Sequence, residues 1–254
     1  MKPIQLLFSL SSTLLIISGC TLPTVKDTSP SFTIIQSNLD QQGTSITIEF
    51  HKGKAHNHPS LAIWLEDLQG NFIQTLFATR YVATGIYGYG ELASGKWKPE
   101  PGRAVRPASL PYWLHKRGQQ TGRIPDLPTP ENPLPDALTS ATPTGNFRLN
   151  TRADRTLPRQ FRLLMEINQP WDSNHYWTNN KFPDDYNYNT SLQPAVVYAA
   201  TIDLDSEIDE YHLNPIGHSH WSGKNGLLYT NLTTLTTALQ IADRIIVRVE
   251  RQVP

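Results

Sequence analysis

Apolar side chains recur at every second position at three widely separated places, and that period belongs to strands with one buried face. Ile46, Ile48 and Phe50 share one side of the segment Thr44–Phe50, with Ser45, Thr47 and Glu49 on the other. Phe161, Leu163, Met165 and Ile167 alternate against Arg162 and Glu166, and Ile245, Val247 and Val249 repeat the pattern. Leu61–Glu66 and Phe72–Phe77 read as two more strands, joined by the turn residues Asp67-Leu68-Gln69-Gly70-Asn71 as a hairpin. Ala195–Leu204 is also strand-like. Twenty prolines in 254 residues favour strands and loops over long helices. Two helical exceptions are expected. Residues 103–117 look partly helical but broken by Pro107 and Pro111, and Leu232, Leu235, Ala238, Leu239 and Ala242 have the spacing of a short amphipathic helix. Strands separated by turns, without regular βαβ alternation, predict an all-β antiparallel sandwich with long loops and one or two short helices. It forms a single domain over residues 32–254, in which the Pro-rich stretch 125–135 is a surface loop.

The segment before it reads as an address. Lys2 is followed by the apolar run Ile4–Ile17 and then Ile17-Ser18-Gly19-Cys20, which resembles a bacterial lipobox. Residues 1–19 would then be a cleaved signal peptide, Cys20 the lipidated first residue, and residues 20–31 a tether. Cys20 is the one cysteine of the chain, so its chemistry is attachment, and the mature domain holds no disulfide and no cysteine metal site. Thr21 stands where an inner-membrane retention signal usually has Asp. The expected location is the cell envelope, at the outer membrane if the source is Gram-negative, with the membrane as partner through the lipid anchor. A formal charge of zero leaves no basic stripe for nucleic acid.

Three groups of residues carry candidate chemistry. His56 and His58 are two apart, as are His218 and His220, and in extended backbone each pair points to one side. If the pairs met, they would offer imidazoles to a divalent metal; otherwise they are hydrogen-bonding loop histidines. Residues 170–191 are rich in aromatics interleaved with Asn and Asp, and Trp171, Tyr176, Trp177, Tyr186 and Tyr188 are the candidate ligand-binding residues. Such a mixture suits stacking on sugar rings or flat cofactors, or else a long loop packing its own aromatics onto the sandwich. The acidic run Asp203–Glu210 lacks the glycine of a helix–loop–helix calcium site, with Ile208 in its place, and reads as a solvated hairpin edge. Gly217-His218-Ser219-His220-Trp221 lacks the second glycine of a nucleophile elbow. No catalytic residue is assigned.

The strand His56–Asp67 (HNHPSLAIWLED), together with Gly70, Leu76, Leu110–Arg117 and Asp136–Gly145 (DALTSATPTG), resembles the exported bacterial family catalogued as domain of unknown function 2271. The likeness spans roughly residues 45–180 and departs at Ser60, where the family has Tyr. It implies an immunoglobulin-like β-sandwich in the periplasm, and it carries over no catalytic residue. The leading expectation is a lipid-anchored envelope protein whose non-catalytic sandwich binds a partner protein or a small ligand. A metal- or haem-associated accessory of an envelope redox or iron system and a glycan-binding surface lipoprotein are the alternatives.

Overall fold

A computed structural model describes residues 30–93, 96–135 and 138–250. The signal segment, Cys20 and most of the tether lie outside the described residues, as do Asp136 and Ala137 of the family-like stretch. Five strands form one sheet in the order β1 (Thr33–Gln36), β10 (Phe147–Arg152), β2 (Ser45–Lys52), β15 (Ala242–Val249) and β13 (Tyr211–His212). Six form the other: β14 (Asn214–His218), β12 (Val196–Asp203), β11 (Gln160–Asn168), β3 (Ser60–Glu66), β4 (Phe72–Thr79) and β9 (Thr139–Ser140). The fold is all-β and sandwich-like. The sheets are mixed rather than wholly antiparallel, because β1 runs parallel to β10 and β9 parallel to β4. Both parallel partners arrive after long connections, which parallel pairing requires.

The alternating strands behave as their period dictates. Ile46, Ile48, Phe50, Phe147, Leu149, Ile245 and Val247 from the first sheet meet Leu61, Ile63, Leu65, Leu163, Met165 and Ile167 from the second. Phe50 lies opposite Phe147 across β2 and β10, with the rings stacked at 4.9 Å. Each such side chain contributes about 1.5–3 kcal/mol by leaving water. The β3–β4 hairpin is set by Asp67, whose Oδ1 accepts the N–H groups of Gln69 and Asn71 at 2.9 and 2.8 Å. Gly70 supplies the left-handed backbone there, at φ +82°.

The six-stranded sheet is covered on its other face as well. After β4 the chain forms α1 (Arg80–Thr84), β5 (Ile86–Tyr87), β6 (Gly90–Ala93), β7 (Lys96–Lys98), β8 (Gly102–Arg103) and α2 (Pro111–Thr121). Val82, Leu110, Trp113 and Leu114 of this third layer pack on Ala62, Trp64, Ala78, Leu164 and Val197 of the sheet. All seven residues of β3 are consequently buried. Glu166, on the face opposite Met165, is not in water: it is fully buried, and its two carboxylate oxygens accept the N–H groups of Tyr112 and Trp113 at 3.2 and 2.8 Å. It therefore caps α2, and Pro111 is the first residue of that helix rather than its breaker, since a first-turn proline lacks only an N–H that has no helical partner anyway.

The amphipathic helix expected near residues 232–242 does not form. A 3-10 turn, Thr237–Gln240, stands there, while Leu235 and Ala238 pack into the main core. The local threonines explain the difference, because they are β-branched and bond elsewhere. Thr237 Oγ1 donates to Asp172 Oδ1 at 2.5 Å, the Thr236 N–H donates to Gln193 Oε1 at 2.7 Å, and Thr234 Oγ1 accepts from Trp177 Nε1 at 3.2 Å. The acidic run after β12 carries the chain from one sheet to the other instead of closing a hairpin within one sheet. Two of its carboxylates, on Asp205 and Glu210, pair with Arg159 and Arg248.

Candidate ligand-binding site

The site begins where two central strands stop. Ser60 opens β3 directly opposite Asn168, the last residue of β11, so the loops leaving both strands share one end of the six-stranded sheet. Asn57 and His58 come from one loop, Gln169, Pro170 and Trp171 from the other, and Thr190 and Ser191 follow the short helix α3 (Tyr186–Asn189). The third layer closes the opposite side with Tyr81, Tyr87, Gly88, Tyr89, Arg106 and Ser109. Together they enclose a cavity of about 480 Å³, within the range of small-molecule sites. His58 and Trp171 hold left-handed backbone there, at φ 49° and 59°, a conformation uncommon outside glycine.

Arg106 is the chemical centre of this cavity. It follows β8, which pairs with β5, and the next residues are held down by the Ser191 hydroxyl, which donates to the Ala108 carbonyl at 3.2 Å. The residue is 7 % exposed. The guanidinium carbon lies 4.3 Å from the ring centre of Tyr87, 4.8 Å from Trp97 and 5.7 Å from Trp171. A second ring of aromatics supports these three. Tyr81 stacks on Tyr87, Tyr186 stacks on Trp97 at 5.9 Å, and Tyr89 meets Trp171 edge-on at 6.3 Å. Burial pulls the Arg106 pKa down and pushes that of Tyr87 up.

Among the described residues no carboxylate pairs with Arg106, and its Nε has no hydrogen-bond partner. Glu91 acts on it only at a distance, since its Oε2 accepts the Val105 N–H at 3.2 Å. The magnitudes make this arrangement costly. Each cation–π contact returns about 0.5–2 kcal/mol, whereas a buried ion left without a counter-ion costs several kcal/mol. Arg117, half-buried in the same layer, shows the ordinary solution: it pairs with Asp126 at 2.9 Å. Among the described residues, Arg106 is held by a cage of aromatic rings and not by a paired carboxylate.

The residues singled out in the sequence divide around this cage. Trp171 and Tyr186 belong to it. Trp177 and Tyr188 are buried in the main core, where the Tyr188 hydroxyl donates to the Thr178 carbonyl at 2.5 Å. Tyr176 lies on the surface under the Lys181 ammonium. The aromatic loop thus mostly packs its own rings, and only two of its five candidate residues face the cage. The four histidines do not come together. His56 packs near Phe50, and His58 lies at the cavity rim with Nδ1 3.1 Å from Asn57 Oδ1. His218 donates from Nδ1 to the Ser219 carbonyl at 2.8 Å and stacks on Tyr229, while His220 accepts the Ser222 N–H on its own Nδ1 at 3.1 Å. Burial lowers the pKa of His56, His218 and His220. Among the described residues no group of three or more His, Cys, Asp or Glu side chains is placed to hold a metal ion.

Sequence reasoning passed over Arg106, Tyr87, Tyr89 and Trp97. The available signal was the alternation Tyr87-Gly88-Tyr89-Gly90, aromatic side chains on a backbone thin enough to line a cavity. Fold and site together define a β-sandwich with a caged arginine at one end of its central sheet. Comparison with protein-family models, with curated proteins and with solved structures gave no match.

Proposed function

We propose that this protein is a lipid-anchored envelope protein whose sandwich binds a small anionic ligand in the Arg106 cavity, without catalysing a reaction on it. The observation that carries the reading is a buried, uncompensated guanidinium facing an open cavity. A protein keeps such an arrangement when a ligand completes it, because the same position filled by an apolar residue is often more stable. The lipobox-like Ile17–Cys20 segment supports the envelope location. The anchor in this reading is a lipid on Cys20; no helix of the described residues is long and apolar enough to cross a membrane.

The test is a thermal-unfolding series on the full chain in detergent, against a panel of carboxylates, sulfate and phosphate. At least one anion should raise the unfolding temperature of the wild type and leave Arg106→Met unmoved. Without ligand, Arg106→Met should be more stable than wild type by about 1–3 kcal/mol. A variant that is destabilised and still responds to the same anion would overturn the proposal.

A further inference from the structure

We infer that the anion is the carboxylate of a sugar acid, a hexuronate held with its ring against Trp171 and its carboxylate on Arg106. This deepens the reading above and rests on it. Three features of the cavity select the class, beginning with charge. Among the described residues, Arg106 is the one permanently cationic side chain lining the cavity. A single guanidinium matches a monovalent carboxylate, which it grips with two parallel hydrogen bonds. A phosphate dianion in the same place would keep an unmatched charge.

The second feature is the distribution of polarity. Aromatic rings occupy the Arg106 side, while Asn57, Ser60, Asn168, Gln169, Thr190 and Ser191 line the other. These amides and hydroxyls are suited to a ring bearing several hydroxyl groups. Several of these groups already bond within the protein: Ser191 Oγ donates to the Ala108 carbonyl, Thr190 Oγ1 donates to the Asn187 carbonyl, and Gln169 Oε1 accepts the Asn57 N–H. A polyhydroxylated ring would engage their remaining hydrogen-bonding capacity, which an aromatic acid would not use. The third feature is exposure. Trp171 and Tyr89, in edge-to-face contact, are 49 % and 51 % exposed. Open indole and phenol faces at a cavity mouth are platforms for the C–H face of a pyranose. The cavity, about 480 Å³, has room for one such ring.

The experiment is calorimetric and fluorescence titration of the full chain in detergent with glucuronate, galacturonate, methyl glucuronide, glucose, benzoate and sulfate. Trp97 and Trp171 both lie beside Arg106, so occupancy should change intrinsic fluorescence. Saturable binding of a hexuronate or its methyl glycoside is expected, with glucose and benzoate at least about tenfold weaker. The ratio of free acid to methyl glycoside separates a free sugar acid from a chain-terminal residue. Arg106→Lys, which keeps the charge and loses the fork, should weaken hexuronate binding about tenfold or more, and Trp171→Ala should do the same without changing the response to ionic strength. Benzoate or sulfate binding that depends on Arg106, with no hexuronate binding, would overturn the sugar assignment and leave the anion site standing. No Arg106-dependent binding of any member would overturn both.

Discussion

Glu166 offers a quantitative test of how the third layer is attached. Its carboxyl is fully buried between the six-stranded sheet and the start of α2, and two opposing effects act on it. The N–H groups of Tyr112 and Trp113 favour the ionised form, while removal from water disfavours it. Burial is the larger, and it lifts the pKa from 4.5 to about 7. A carboxyl with a raised pKa binds its proton more tightly in the folded protein than in the unfolded chain. Its contribution to stability is therefore fully present below about pH 4.5 and is lost as the pH rises through 7. A shift of this size corresponds to about 3.4 kcal/mol in all, of which about 2.5 kcal/mol falls between pH 5 and pH 8. Glu166→Gln abolishes the titration and keeps one acceptor for the two N–H donors, at a pH-independent cost of about 1–3 kcal/mol. Urea unfolding of both proteins at pH 5 and pH 8 isolates the effect, because His56, His218, His220 and every other titrating group are common to the two. Wild type should lose about 2.5 kcal/mol more than the variant over that interval, or about 5–10 °C in unfolding temperature. Parallel pH profiles, or a wild type that gains on the variant at pH 8, would show that the helix N-terminus holds the carboxylate ionised and that the argument from burial is wrong.

Trp177→Ala should cost about 3–5 kcal/mol in chemical unfolding and leave anion binding intact, since Trp177 fills the main core and does not touch Arg106. An equally large loss of binding would mean that the two halves of the aromatic loop act as one site. Gly223→Ala should disturb the segment that carries Arg106, because Gly223 has φ +75° and an added Cβ would sit 2.3 Å from the carbonyl oxygen of Pro107, the residue after Arg106. Weakened ligand affinity together with a lowered unfolding temperature is the expected result, and unchanged values of both would count against this packing. Cys20→Ser should move the protein from the membrane fraction to the soluble fraction of fractionated cells, which metabolic labelling with a palmitate analogue would corroborate.

Much of the sandwich was legible because its signal is local. Period-two alternation at Ile46–Phe50 and Phe161–Ile167 reports one buried face whatever the rest of the chain does, and Asp67–Asn71 states its own turn. What alternation could not report is the second burial of the six-stranded sheet. Arg162 and Glu166 look like a solvent face in sequence, and only the third layer from residues 80–121 turns Glu166 into a buried helix cap. The threonine-rich segment near Leu235 failed for a related reason. Its apolar spacing was helical, but the hydroxyls and N–H groups of Thr234, Thr236 and Thr237 found partners in Trp177, Gln193 and Asp172, more than 40 residues away.

The same distinction governs the site. The aromatic loop drew attention because its rings are dense in sequence, yet density is what a long loop also needs to order itself, and Trp177 and Tyr188 serve that purpose. Arg106 stands immediately before Pro107, in a segment that reads as a broken helix. Its importance comes from what is missing around it, and a missing counter-ion is visible only once the neighbours are known. Arg117 sits in the same layer, equally cationic in sequence, and is neutralised by Asp126 nine residues on. The contrast between these two arginines separates a structural cation from a binding one. It also makes the pair a control: Arg117→Met strips the buried Asp126 of one of its two arginine partners, leaving it the more exposed Arg123, and should destabilise, whereas Arg106→Met should stabilise. If both substitutions moved stability in the same direction, the claim that Arg106 awaits an anion would lose its physical basis.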